Sequence, residues 1–349
     1  MSHLKQTKLP FVRVSGSRPS VDAHGPPAQS SSKAPSSKTS SSSYSSKSAP
    51  TTDEREHLRQ LARDTLETIQ LGAYTTPSGQ VIHVQPILEK SLDGTLFYPP
   101  NAFDYWESKR PVSTSSNTQF SIRERSTLEA ARRMASEARI MGTTDPSTSP
   151  PRIGILNFAS ATKPGGGFRN GAKAQEESIA RVSTLYASLT TPTGLQFYKK
   201  ETRDQEGPTY SHSMVYSPRI LVFRTDDGAY LEEPYEISVV TSPAVNAGVV
   251  RSQNRHQDEG KVERAIARIM TQRMARILAL FQNRGDRWIV LGSYGTGVFR
   301  NPVETVAGIW ANLLIREGAP FAGVFERVEF AILGRDTFER FEAVFQSKE

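Results

Sequence analysis

The 349-residue chain contains no cysteine, which excludes a disulfide scaffold, a cysteine-ligated zinc or iron–sulfur site and any thiol nucleophile. It contains no uncharged apolar run near the roughly 18 residues that a membrane-spanning helix requires, so no membrane partner is expected. The first 15 residues lack the roughly 7- to 15-residue apolar stretch of a secretory signal, and no repeat with a period of roughly 20–50 residues is visible. The six histidines (His3, His24, His57, His83, His212 and His256) are scattered without a His-x3-His pair, so no metal and no cofactor is expected. Acidic residues are nearly absent from the N-terminus. Residues 1–52 hold seven lysines and arginines against Asp22 alone, so six of the seven net positive charges sit there and residues 53–349 carry +1.

That charge distribution confines any broad phosphate-backbone binding to the N-terminus, and no sequence-specific nucleic-acid partner is expected of the rest. From Ser30 to Ala49, 12 of 20 residues are serine, a composition that cannot bury enough surface to offset its ordering entropy. Residues 1–52 are therefore expected to form a disordered, basic, Ser-rich tail. Pro10 and Pro19 oppose the amphipathic helix of a mitochondrial targeting peptide. A nuclear or cytoplasmic location is expected, with mitochondrial targeting by the tail as the alternative.

Beyond the tail the chain has ample apolar material for a core. Leu58, Leu61, Ala62, Leu66 and Ile69 fall at helical spacing behind an Asp53 cap, and residues 53–112 are expected to form a mostly helical accessory region. Residues 113–349 alternate strand and helix signals. Strands are expected at Gln119–Arg123, Ile153–Phe158, Ile220–Phe223, Ile237–Val240, Trp288–Leu291 and Val328–Leu333. Between them lie helices opened by the capping box Ser126-x-x-Glu129 and spanning Ser178–Leu189, Glu259–Phe281, Pro302–Arg316 and Phe338–Phe345. Arg264, Arg268 and Arg276 are expected on the solvated face of the long helix. The alternation predicts a three-layer α/β/α sandwich around a largely parallel or mixed sheet, in which ligands sit beyond the carboxyl ends of the strands.

Two strands are followed at that end by glycine-dense loops: Pro164-Gly165-Gly166-Gly167-Phe168, and Gly292-Ser293-Tyr294-Gly295-Thr296-Gly297-Val298-Phe299. Successive glycines forgo side chains and reach positive φ at an entropic cost, and the usual return is close approach of a ligand to bare N–H groups. Backbone amides near a helix N-terminus form an anion site. Together the loops indicate a shared phosphate-bearing ligand. Gly166-x4-Gly171 continues into Ala172, not the Lys-Ser/Thr of a P-loop, and Gly295-Thr296-Gly297 lacks the third glycine of a dinucleotide fingerprint. Ser293 is not framed as Gly-x-Ser-x-Gly, and Asp226-Asp227-Gly228 reads as a turn.

Beside the first loop stands Gln175-Glu176-Glu177, at the start of a helix. Acidic residues there are favourable for the helix dipole alone. Consecutive helical residues diverge by roughly 100°, so the two carboxylates are not expected to aim at one atom. One can perform acid–base chemistry while the other grips a hydroxyl.

Asn157-Phe158-Ala159-Ser160, Pro164-Gly165-Gly166-Gly167-Phe168, Gly171-Ala172-x-Ala174-Gln175-Glu176-Glu177-Ser178, Arg181 and Leu185-Tyr186 together resemble the microbial-type poly(ADP-ribose) glycohydrolases, from about residue 53 to the C-terminus. The resemblance implies a macrodomain-like catalytic fold with a helical N-terminal extension. It also implies poly(ADP-ribose) or ADP-ribosylated proteins as partners and ADP-ribose as product. Carried over by motif position, Glu177 is the catalytic carboxylate and Glu176 its partner on the ribose hydroxyls. Asn157 contacts the terminal ribose, Gly165–Gly167 line it, and Gln175 completes the motif. Gly295, Thr296, Gly297 and Val298 wrap the diphosphate, and Phe299 presses on the terminal ribose. The adenine contact is unassigned, with Tyr294 a weak guess. A non-catalytic ADP-ribose reader and a mono-ADP-ribosyl-protein hydrolase are the alternatives.

Overall fold

The computed structural model describes residues 51–108, 117–144, 149–203 and 206–347; the expected Ser-rich tail lies outside them but for its last two residues. Helix α1 (Thr52–Leu71) starts two residues earlier than an Asp53 cap implies, because the Thr51 hydroxyl caps it by accepting from Glu54 N at 3.2 Å. A short hairpin of β1 (Ala73–Thr75) and β2 (Val81–His83) comes next, then α2 (Gln85–Asp93) and β3 (Leu96–Tyr98). That third strand pairs with the main sheet, so the end of the 53–112 segment is built into it.

The rest of the chain runs β4 (Gln119–Glu124), α3 (Thr127–Thr144), β5 (Ile153–Phe158), α4 (Gln175–Val182), α5 (Leu185–Leu189), α6 (Gly194–Arg203), β6 (Met214–Arg224) and β7 (Tyr230–Ser242). It closes with α7 (Ala247–Gln253), α8 (Glu259–Arg284), β8 (Trp288–Leu291), α9 (Val303–Leu314), β9 (Arg327–Ile332) and α10 (Arg335–Gln346). The helix expected over Ser178–Leu189 is two helices, broken at Ser183, whose backbone is extended and bridges to Val222. The Ser126 half of the expected capping box is present: Ser126 Oγ accepts from Glu129 N at 2.9 Å and donates to Asp226 in the β6–β7 turn, while the Glu129 carboxylate faces Arg125.

The seven-stranded sheet has the order β3-β6-β7-β5-β8-β9-β4. Strands β7, β5, β8, β9 and β4 are mutually parallel, and β3, β6 and β7 pair antiparallel. Alternate side chains enter opposite faces. Ile153, Ile155, Trp288 and Val290 pack under α3–α6, whereas Leu156, Ile289 and Leu291 pack against α8–α10. The expected three layers result. Gly154 on the second face has no Cβ because one would lie 2.6 Å from the Phe281 ring of α8.

Helix α8 departs from the sequence expectation at one arginine. Arg264 and Arg268 are exposed, but Arg276 is buried and donates to the carbonyls of Pro100 and Ala102. One turn earlier Arg273 is fully buried and donates to Pro243 O, Thr209 O and Tyr210 O at 2.8–2.9 Å. The sequence reading placed Arg276 in solvent by its charge, whereas carbonyls of neighbouring loops recruit the guanidinium inward. Among the described residues no helix is long and apolar enough to cross a membrane.

Gly154→Ala forces a methyl into the Phe281 ring. It should destabilise the fold by about 1–3 kcal/mol, read as a lowered midpoint in denaturant unfolding; an unchanged midpoint would show that α8 is free to shift.

Candidate active site

Strands β5 and β8 are parallel neighbours, so the loops leaving their carboxyl ends emerge side by side. The first, residues 159–174, carries the glycine triplet, and the second, residues 292–302, carries Gly295–Phe299. Adjacency that the sequence could only suggest is thus a consequence of strand order.

In the first loop Gly165 and Gly166 have φ of 65° and 59°, in the left-handed region that glycine occupies at no steric cost. Gly166 is constrained twice, because a Cβ there would lie 2.3 Å from Glu177 Oε1 and 3.1 Å from Glu176 Oε2. Both carboxylates therefore converge on this one backbone position. The expected divergence around the helix is offset by side-chain reach, since each glutamate bends toward a different amide of the same loop. Glu177 Oε1 accepts from Gly167 N at 2.8 Å, and Glu176 Oε2 accepts from Ser160 N at 2.6 Å. Phe168 anchors the loop from behind, buried against Ala62 of α1, Ala180 of α4 and the Tyr186 ring.

Both acids are buried, Glu176 at 2% and Glu177 at 9% exposure. Neither pairs with a lysine or arginine among the described residues at ion-pair distance. Burying carboxylates without a cation is costly unless amides serve them. Burial pushes Glu176 up to about 8, helped by the neighbouring Glu177 and opposed by hydrogen bonds from Ser160, Asn157 and Gly165. At neutral pH the pair is not doubly ionised.

Asn157, at the end of β5, is fully buried and donates through Nδ2 to Glu176 Oε1 at 3.3 Å and to Thr241 Oγ1 at 3.2 Å. Its Oδ1 has no partner, an open acceptor beside the acid pair that suits a ligand hydroxyl. Gln175 is placed differently from a substrate-contacting residue. Its amide accepts from Phe158 N at 2.8 Å and donates to Leu156 O at 2.7 Å, which staples α4 to the end of β5.

The second loop is held by a residue that sequence reasoning missed. Asn301 is buried and donates to Val245 O at 2.8 Å and Gly295 O at 3.0 Å, tying the loop to the one after β7. An asparagine two residues past Phe299 carries no signal of this in the sequence. Thr296 Oγ1 turns inward to Ser293 O, while Gly297 and Val298 are exposed, leaving main chain open to a ligand. Phe299 is half-buried against the Tyr210 ring, centroids 5.9 Å apart. Tyr294 is fully buried, packed on Phe158 and bonded to Ser242 Oγ at 3.2 Å. It has no face for a base to stack on, which removes it as a candidate adenine contact. Among the described residues no group of three or more His, Cys, Asp or Glu side chains could hold a metal ion.

A family model described as microbial-type PARG, catalytic domain, matches residues 62–225, which include the glycine triplet and the acid pair. Among solved structures, the poly(ADP-ribose) glycohydrolase of Thermomonospora curvata is 37% identical, with 84% of this chain and 99% of that chain covered and a TM-score of 0.72. The same enzyme bound to the inhibitor ADP-HPD is similar at the same identity and coverage, with a TM-score of 0.70. The poly(ADP-ribose) glycohydrolase of Deinococcus radiodurans in complex with ADP-ribose is 32% identical over 74% of this chain and 97% of that one, with a TM-score of 0.63. No match was found among curated proteins.

Glu176 also couples stability to pH. Folded, it keeps its proton to about pH 8; unfolded, it loses it near 4.5. Such a group favours the folded state fully below the lower value, and that favour disappears as pH climbs through the higher one. Between about pH 4.5 and 8 the wild type should lose thermal stability relative to Glu176→Gln, whose amide does not titrate. Parallel melting-temperature profiles for the two proteins would contradict this.

Proposed function

Because this chain belongs to the microbial-type poly(ADP-ribose) glycohydrolase family, we propose that it hydrolyses the ribose–ribose glycosidic bond at the end of poly(ADP-ribose) and releases ADP-ribose. The observation that carries the reading is the convergence of Glu176 and Glu177 on Gly166, at the mouth shared by two glycine loops. Cleavage of a ribosyl bond passes through an oxocarbenium-like transition state and is assisted by protonation of the leaving oxygen. Glu177 supplies that proton and then takes one from the attacking water. Its anchor on Gly167 N sets the carboxyl against the same backbone that lines the sugar.

Glu176 grips a ribose hydroxyl together with the open Oδ1 of Asn157. Carrying its own proton at neutral pH, it can donate as well as accept. Gly165–Gly167 leave the sugar room, and Gly295–Val298 wrap the pyrophosphate with main chain, as amides beside a helix N-terminus can. The pyrophosphate in turn stabilises the cationic sugar. Phe299, backed by Tyr210, covers the terminal ribose. Gln175 acts by positioning, since both ends of its amide are engaged with β5. A cysteine-free chain accords with a nuclear or cytoplasmic location.

The buried pair also favours catalysis over a binding-only reader, because gripping a hydroxyl needs one carboxylate, whereas a second one desolvated beside it with no ion-pair partner is the arrangement of an acid–base site. Glu177→Gln should hold ADP-ribose with near wild-type affinity while release of ADP-ribose from polymer falls roughly a hundred- to ten-thousand-fold. Full release by that variant would end the assignment. Gly166→Ala, whose methyl overlaps Glu177 Oε1, should abolish release as well. Running the wild type on mono-ADP-ribosylated protein and on polymer in parallel separates the two hydrolase activities.

A further inference from the structure

Four non-glycine residues among those described have positive φ: Phe103, Tyr210, Arg219 and Arg300. Two of them meet at Phe299, Tyr210 by ring contact and Arg300 as the next residue in the chain. A left-handed arginine is strained, and such strain persists only where the surroundings impose it.

The surroundings of Arg300 do so from three sides. Its N–H donates to Gly297 O at 3.0 Å, closing the diphosphate loop, and its carbonyl accepts from Arg251 Nη1 at 2.8 Å. Arg251 is itself fixed by a two-point ion pair with Glu263, at 2.6 and 2.9 Å. The stem lies across Gly248 of α7, where a Cβ would stand 3.1 Å from Arg300 Cδ, and Gly248 N donates to Phe299 O at 3.1 Å. The side chain is exposed, and among the described residues no carboxylate pairs with its guanidinium. The Arg251–Glu263 pair cancels its own charge, so the cation next to the clasp is Arg300. A strained backbone, an ion-paired buttress and a missing side chain thus hold one exposed, uncompensated guanidinium on the residue that closes the loop read as the pyrophosphate clasp.

We propose that Arg300 is a further substrate-binding residue, which grips phosphate oxygens of the ADP-ribose substrate at the outer edge of the Gly295–Phe299 loop. A guanidinium suits this because its fork of donors matches two phosphate oxygens. The proposal rests on the glycohydrolase reading and deepens it. The phosphate belongs to the pyrophosphate of the terminal unit or to that of the next unit of the chain.

The test compares wild type, Arg300→Gly and Arg300→Lys in the full chain, on polymer and on free ADP-ribose. Glycine relieves the strained φ, so Arg300→Gly should melt at or above the wild-type temperature, yet its KM for polymer should rise about five- to tenfold with kcat little changed. The slope of log KM against log salt should flatten by about one. Arg300→Lys, which keeps the cation, should recover most of the wild-type KM. A parallel loss of free ADP-ribose affinity in Arg300→Gly assigns the phosphate to the terminal unit, and intact affinity assigns it to the next. Wild-type KM and salt slope in Arg300→Gly would overturn the proposal, as would a fall in melting temperature with kcat lost and KM unchanged. Failure of the wild type to release ADP-ribose would instead defeat the glycohydrolase reading.

Discussion

The structure depends on two carboxylates buried with no ion-pair partner among the described residues, the buried Arg181 attracting Glu177 from beyond ion-pair distance. Glu176 and Glu177 begin α4, whose N-cap, Ala174, offers no side-chain acceptor. Main-chain amides of the preceding loop serve the acids instead. The loop can present those amides only because Gly165 and Gly166 take up left-handed backbone and Gly166 has no Cβ to strike either acid. Glycines, helix start and acid pair form one unit, since none of the three is tolerable in this geometry without the others.

That unit is held by packing from outside the site. Gln175 fastens α4 to β5, and Phe168 is seated between α1 and α4. Gly171, at φ 72°, lets the loop pass so near α1 that a Cβ would stand 2.4 Å from the Arg55 carbonyl. The N-terminal helix is therefore a wall of the first glycine loop. Arg181 ties the same region together, donating to Ala172 O at 2.6 Å, while its carbonyl accepts from the Thr65 hydroxyl of α1.

The second loop is restrained by a different logic. Its ligand-facing part is bare main chain, and order is imposed by Asn301, the Trp310 indole on Gly292 O at 3.1 Å, and the buried Tyr294. Arg273, drawn inward from α8, holds the carbonyls of Thr209 and Tyr210 and so steadies the ring on which Phe299 rests. Helix α8 thereby reaches the Phe299 ring through one buried guanidinium.

Much of this was legible in the chain itself. Short apolar runs and helical spacing located every strand of the parallel part and the long helix, because a strand buried on both faces reads as an unbroken apolar run. The glycine triplet, the second glycine loop and Gln175-Glu176-Glu177 marked the site, because bare backbone beside acids has few structural uses. The sequence could not show that both acids bend back to one glycine, that Glu176 keeps its proton, or that Gln175 serves the fold. It also could not show that Arg276 is buried, that Tyr294 lacks a free face, or that Asn301 and the Arg300 main chain brace the second loop. Those outcomes depend on which carbonyls and amides lie within about 3 Å of a side chain. Only tertiary packing decides that distance, as where Arg276 of α8 meets the carbonyls of Pro100 and Ala102, more than 170 positions earlier in the chain.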